Sequence, residues 1–593
     1  MVQRNLTCDV LIVGSGGAGL RAACAAAEQG ASVVLASKGK IGRSGATLLA
    51  GANVSADVMC DGGSLWRLGV KSADRSDTQE KWYSDIIHEG FYLNRRKLVQ
   101  QYVEQAGPQV QMLLQSGVAV TDADEGGRQI GIAGSSILDA LYRMAHAAGV
   151  GFLQDVTLCD LLPAEDGAVA GALLLDIISG ELIAVHAGAT VLATGGMHGC
   201  YAFNSGTSGL CGEGQAAAMR LGAEMTLMEM VTFCPDVICA PRRFRGSILP
   251  YIMQCIGYGR LQNRLGEDFL SKHLSPAAMR LALDSEWNKL LLSYAMFREE
   301  QAGLCDGHGG VRFTLKYLSQ SERDGLEKTL PQLTHGVYSE IMRCHDRDGG
   351  LSVFAAGHYF DGGIAVNAAM ETHVPGLFAA GECTGGLFGA NRVSAATTQM
   401  LVQGAQAGAG AARFARMAGI QRAEPAALER ACLDALAPLT AEKGENPRRV
   451  RDMAVDAITQ SAGIVRDEKG LLRGLARLEE AACIPLALAS PARAYNRGWL
   501  DALEIRSLCA CGRAVIRSSL ARRESRGVFI RSDYPYTDND AFLCETILQS
   551  GQVFLRPVAQ DGVGAGPGRQ EYFDGLERVF SRLSYAAGGA CVE

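Results

Sequence analysis

The sequence predicts an α/β protein: a Rossmann-like dinucleotide-binding domain, interrupted by an α+β capping domain and followed by a helical C-terminal domain. Three observations carry that reading. A strand, a glycine-rich turn and a helix fill the opening stretch 8–51; segments of the same type resume at 358 after an interval of different composition; and 426–519 is charged, periodic and helical. The division that follows is 1–235 and 351–422 for the two parts of the nucleotide-binding domain, 236–350 for the cap, 423–540 for the helical domain and 541–593 for a tail.

Val10 to Val13 form an apolar, β-rich run that leads into Gly14, Gly16 and Gly19, spaced G-x-G-x-x-G. The first glycine permits a tight turn, the second lets the backbone approach a pyrophosphate, and the third lets the following helix, expected over 20–29, pack closely on the strand. That helix aims its N-terminal amides and positive dipole end at the phosphates, which adds Ser15, Gly17 and Ala18 to the candidate contacts. The second strand, 32–36, ends in Ser37, Lys38 and Gly39. The fingerprint ordinarily places a ribose-binding carboxylate about 20 residues on, so the cradle alone leaves the nucleotide open. A second glycine-rich loop adds Ser44, Gly45, Ala46, Thr47 and Gly51.

Further along, 64–117 and 136–149 carry helical patterns, and 150–162 (with Val156), 168–176 and 181–187 read as short strands of a small antiparallel layer. ATVLATGG at 189–196 reads as a separate buried strand whose end, Ala193, Thr194 and Gly195, brings backbone to the ligand a second time; a helix over 212–222 holds Glu213. From about 235 to 350 aromatics rise and Arg242, Arg243 and Arg245 cluster. Dinucleotide-type segments then return as HYFDGGIAVN and VPGLFAAGECTGGLFGANRVSAATTQM, which puts the insertion over the ligand face. The tail beyond Arg522 shows little periodicity, with a glycine-rich turn at 562–568.

A chain of 593 residues, 48% apolar, is too long for one core. Its net charge of −7 comes without a basic block, which argues against nucleic acid. The polar N-terminus runs straight into the first strand, and no apolar run reaches the ~18 residues a bilayer span needs. The expectation is a cytoplasmic protein without direct membrane insertion, any membrane link coming through a partner. Eighteen cysteines are scattered singly, with no C-x-x-C pair. They read as buried small apolar residues in a reducing compartment, with neither an iron–sulfur cluster nor a structural metal of the usual spacing.

Taken in order, VGSGGAG, SGATLLAG, ATGG with CGEGQAAAMRLGAEMTLMEM, HYFDGGI, GLFAAGECTGGLFGANR and ESRGVFIRSDYP resemble the flavoprotein family of succinate dehydrogenase, fumarate reductase, L-aspartate oxidase and adenylylsulfate reductase over about residues 5 to 540. The resemblance implies FAD and accounts for the missing carboxylate, since this family often ends its second strand in Ser-Lys. It implies that Glu382, after Gly381, bonds the ribose or ribityl chain, and that the loop after GANR, with Ala395, Thr397 and Thr398, lies against the flavin ring. Members with covalent flavin carry R-S-H-T, where this chain has Arg43-Ser44-Gly45-Ala46. With no imidazole there, non-covalent FAD is expected.

The resemblance also implies hydride transfer between flavin N5 and a carbon–carbon bond of a carboxylate substrate. His358 and Arg392 match the family's ligands for one carboxylate, and a guanidinium suits that task because its planar fork gives two parallel hydrogen bonds. The other end departs. The family's F-x-H-P is Phe233-Cys234-Pro235, its R-G-E-G-G aligns with Cys255 to Gly259, and its S-R-A is Ser293-Tyr294-Ala295. A thiol cannot replace a guanidinium, so the expected substrate keeps one carboxylate and differs at its second end. Tyr258 and Arg260 stand as candidates for proton transfer. With no cluster motif in the chain, electrons pass through a separate iron–sulfur or other redox subunit. The alternatives are an oxidase of the L-aspartate oxidase type and a flavin-bearing electron-transfer subunit without substrate chemistry.

Overall fold

A computed structural model of the protein describes residues 2–50, 53–55, 78–120, 122–123, 128–207, 209–249, 258–283, 287–392 and 395–583. Strand β1 (Arg4–Val13) is followed by helix α1 (Gly17–Glu28) and strand β2 (Val33–Ala36). The helix starts three residues earlier than its apolar pattern suggests, so Gly19 lies inside its first turn. Strands β3 (Gly151–Leu153), β4 (Val156–Pro163), β5 (Val169–Asp176) and β6 (Leu182–Leu192) complete the sheet order β3-β2-β1-β6-β5-β4.

This corrects two expectations. The antiparallel strands are no separate layer, because β5 pairs with the first half of β6 through Gly171↔His186 to Leu175↔Leu182 and extends the main sheet. The runs 181–187 and 189–196 are likewise one strand, parallel to β1 from Arg4↔Ile183 to Val13↔Leu192. Gly188, between them, is there because a helix crosses at that point: a Cβ on it would lie 2.8 Å from the Ala415 Cβ.

The chain then leaves the sheet. Strands β7 (Val231–Ala240), β8 (Arg260–Gln262), β9 (Val311–Thr314) and β10 (Leu351–Phe360) form an antiparallel sheet in the order β7-β10-β9-β8, and helix α2 (Asn288–Gln301) packs on β7. Pro235 cannot donate to a ladder, and the register of β7 on β10 shifts between Cys234 and Val237. Strand β11 (Leu377–Ala379) returns to the main sheet, parallel to the second half of β6, and helix α3 (Ala396–Ala418) crosses α1. That crossing is close because Gly404 and Gly408 lie over the Ala18 and Ala22 carbonyls, 2.6 and 2.1 Å from where a Cβ would sit.

The helical region holds Pro425–Thr440, Pro447–Ser461, Glu468–Cys483 and α4 (Arg497–Ala521). Proline at the first helical position and side-chain caps from Asn446, Asp467 and Asn496 mark where these helices begin. The tail is more ordered than its weak periodicity suggests: Cys544–Gln549 and Gln552–Pro557 form a hairpin that adds to a second sheet through Met225–Thr226. Among the described residues no helix is long and apolar enough to cross a membrane.

Candidate active site at the carboxyl ends of the parallel strands

The turns after β1, β2, β6 and β11 open on one cavity of about 1160 Å³. In open α/β sheets ligands bind outside the carboxyl ends of the strands. This cavity exceeds the roughly 300–1,000 Å³ of an ordinary small-molecule site, leaving room for a dinucleotide and a substrate together. Its walls hold the residues singled out above for the cofactor, with three exceptions. Gly19 packs inward, where a Cβ would sit 1.8 Å from the Gly14 carbonyl oxygen. Thr398 is fully buried in α3. Gly51 lies outside the described residues, as do Cys255, Ile256 and Gly257.

The cradle fits a dinucleotide on its own geometry. Gly14 has φ +110°, and a Cβ there would meet the Ala193 carbonyl oxygen at 2.1 Å; at Gly16 the nearest atom to such a Cβ is the Thr47 Oγ1 at 3.6 Å, so the backbone faces open space. Helix α1 has no acidic residue in its first turn and no side-chain cap. Its positive end therefore points uncompensated into the cavity, as an anion site requires. The buried Thr194 Oγ1, on the same wall, finds no hydrogen-bond partner among the described residues. Ser15 and Ser37 link their hydroxyls at 2.6 Å across the β1 and β2 turns, and Gly17 N–H donates to Thr47 Oγ1 at 3.2 Å.

Lys38 is committed to the protein: its ammonium binds Glu213, Glu504 on α4 at 2.8 Å and the Gly209 carbonyl at 2.9 Å. It ties the helical region to the cradle, and Arg497 and Leu500 of α4 close that end of the cavity.

At the other end, His358 and Arg392 meet, as their motifs imply. Arg392 Nη2 lies 3.3 Å from His358 Nε2, and its guanidinium stacks 4.7 Å from the Tyr359 ring centroid. Burial first, then the charges of Arg392, Lys289 and His198, push the His358 pKa well below its usual value. The imidazole is therefore neutral. Because a guanidinium only donates, Nε2 accepts from Arg392 and Nδ1–H donates to Ser205 Oγ at 2.8 Å. His198 donates from Nε2 to the His358 carbonyl at 2.8 Å and lies 3.8 Å from the Glu382 carboxylate. In this arrangement His358 orients Arg392 instead of donating to a carboxylate itself. Beneath them, burial pushes the Asp361 carboxyl up to about 7, and Thr232 Oγ1 donates to it at 2.8 Å.

The proton-transfer candidates fare unequally. Tyr258 lines the cavity rim, 41% exposed. Arg260 is not brought to the site: on the edge strand β8 it pairs with Asp268 at 3.2 Å and stacks on Tyr317 at 4.3 Å. Tyr294 packs against Phe573, ring centroids 5.2 Å apart. The cation that α2 does deliver is Lys289, buried on the cavity wall beside Cys234 and Asp236. Sequence reasoning missed Lys289, Asp236, His198 and Ser205, none of which sits in a matched motif position. Of the cysteines described, most are buried and all are free; burial raises several thiol pKa values, Cys8 and Cys159 to about 12.

A family model described as FAD binding domain matches residues 9–398, and one described as fumarate reductase flavoprotein C-term matches 451–572. The chain belongs to the fumarate reductase and succinate dehydrogenase flavoprotein family. It is 30% identical over 550 residues to one subunit of the fumarate reductase (CoM/CoB) of Methanothermobacter marburgensis, covering 89% of this chain and 95% of that one. It is 29% identical over 572 residues to the 8-methylmenaquinol:fumarate reductase flavoprotein subunit of Wolinella succinogenes, covering 91% and 87%. Among solved structures, a quinol fumarate reductase of E. coli shares the fold with a TM-score of 0.79 at 24% identity, over 94% of this chain and 97% of that one. Membership makes the protein an FAD-dependent oxidoreductase of this type.

Proposed function

We propose that the protein transfers hydride between FAD and a carbon–carbon bond of a carboxylate-bearing substrate other than plain fumarate or succinate, with electrons exchanged through a separate redox subunit. The observation that carries this reading is the asymmetry of the substrate end. Arg392, buttressed by His358 and Tyr359, offers a fixed fork for one carboxylate, while the same cavity also presents the Cys234 thiol and the Asp236 carboxyl, with Lys289 on its lining. FAD, when bound, would take up or, once reduced, give the hydride that carries both electrons. The chain's residues bind and orient the acid: Arg392 holds the carboxylate, and helix α3, whose first turn bears no acidic residue, turns its positive end toward the same space. A separate redox subunit is favoured because the two relatives are themselves named as subunits.

The deciding experiment is anaerobic. Flavin in the holoprotein is reduced chemically, and unsaturated acids are screened for reoxidation. Reoxidation by a monocarboxylate or half-amide, with little by fumarate, is the expected result; reoxidation by fumarate alone refutes the substrate reading. A second expectation concerns attachment. Gly45 has φ +89° and bears no side chain, so the position where covalent members carry an imidazole has no group to attach the flavin. Acid precipitation should release all the flavin into the supernatant, and yellow protein in the pellet would show a covalent link.

A further inference from the structure

The cavity wall that carries Cys234, Asp236 and Lys289 is built from two elements. On β7, Cys234 and Asp236 both line the cavity, and the Cys234 thiol donates to Asp236 Oδ1 at 2.6 Å. On α2, Ser293 donates from Oγ to the Phe233 carbonyl at 3.4 Å, which fixes that face of the helix on β7. Lys289 is one turn earlier on the same face, and it lines the cavity together with Cys234 and Asp236. Burial raises the Asp236 pKa, and the thiol hydrogen bond, its own backbone N–H and the Lys289 charge each oppose that shift. Asp236 is 1% exposed and Lys289 9%. One buried cation and one buried carboxylate thus share the subsite, and their charges offset one another.

We propose that Asp236 sets the substrate class: the site takes a carboxylate at Arg392 and admits at its second end an uncharged hydrogen-bonding group, a hydroxyl or an amide, while Asp236 repels a second carboxylate. This rests on the function proposed above and sharpens its substrate. An amide can donate its N–H to the Asp236 carboxylate and accept at its carbonyl oxygen from the Lys289 ammonium, and a hydroxyl can do both at one oxygen. A carboxylate can do only the second and meets a like charge in a buried setting.

The test measures binding, read as perturbation of the oxidised flavin spectrum in the holoprotein, with malonate and its half-amide malonamate as probes. Neither has a carbon–carbon double bond to reduce. In the native protein malonamate should bind more tightly than malonate. Asp236→Asn should tighten malonate about tenfold or more, because a like-charge contact in a desolvated site is removed. Asp236→Ser serves as a second neutral variant should Asn disturb the thiol contact, and full flavin content verifies the fold of each. Malonate binding unchanged in both flavin-loaded variants overturns the assignment of Asp236. Arg392→Ala separates the two levels: loss of both probes supports the carboxylate site, whereas unchanged binding there overturns the underlying function as well.

Discussion

Arg392→Ala should lower kcat/KM by about 2–5 kcal/mol of lost transition-state stabilisation, roughly 30- to 5,000-fold, while FAD stays bound. The size follows from the environment. The guanidinium is held on one side by the neutral His358 and on its face by Tyr359, so its fork is fixed before substrate arrives. Truncating it removes two parallel charge-assisted hydrogen bonds and also the alignment they impose, and misplacement by about 1 Å can cost ~100-fold. FAD should remain because the phosphate cradle at Gly14 to Gly17 shares no hydrogen bond with Arg392 among those described. Arg392→Lys should recover only part of the activity, since an ammonium lacks the planar fork. Rates are best measured with an artificial donor, which removes dependence on a partner protein; native activity in Arg392→Ala would displace the substrate site from this end of the cavity.

The nucleotide cradle was legible because sterics leave so little choice there. Gly14 and Gly19 cannot carry a side chain without striking backbone, and the spacing follows from that. The break assigned at Gly188 failed for a related reason: glycine reads as punctuation, yet here it lets a helix cross a continuous strand. Lys289 and Asp236 were hidden because motif matching looked for a cation at the family's position, whereas helix phase turns 289 and 293 to β7 and sends 294 to Phe573. No local signal in the sequence reports which face of α2 meets β7. Arg260 looked catalytic only by proximity to Tyr258. The tail's weak periodicity gave no sign that Arg522, Glu524 and Arg526 are core, since arginine and glutamate are rarely fully buried unless paired.

That last point leads to the largest stability effect. Glu524→Ala should destabilise the holoprotein by about 3–5 kcal/mol, because it strips the buried Arg526 guanidinium of its counter-charge and Arg522 of one of its two. Glu524 is 0% exposed. Its Oε1 accepts from Arg522 Nη1 at 2.8 Å and Arg526 Nε at 2.7 Å, and its Oε2 accepts from Arg526 Nη2 at 2.9 Å and the Asp538 backbone N–H at 2.8 Å. Arg522 keeps Glu229 at 2.8 Å, but among the described residues Arg526 would retain only neutral acceptors, including the Phe91 carbonyl and Asn539. Glu524→Gln preserves shape and should cost less, which separates lost charge from lost packing. The consequence reaches the substrate site, because the same segment supports the GANR loop: Val528 N–H donates to the Ala390 carbonyl at 2.8 Å, two residues before Arg392, and Gly527 lies against that carbonyl too closely for any Cβ. Denaturant unfolding of the holoprotein should therefore show a lowered midpoint in Glu524→Ala, accompanied by a raised KM for the acid at temperatures where the fold survives. A variant as stable as the native protein would mean that water or a shift of Glu229 replaces the missing charge. A lowered midpoint with an unchanged KM would mean that the network carries the fold alone, without positioning Arg392.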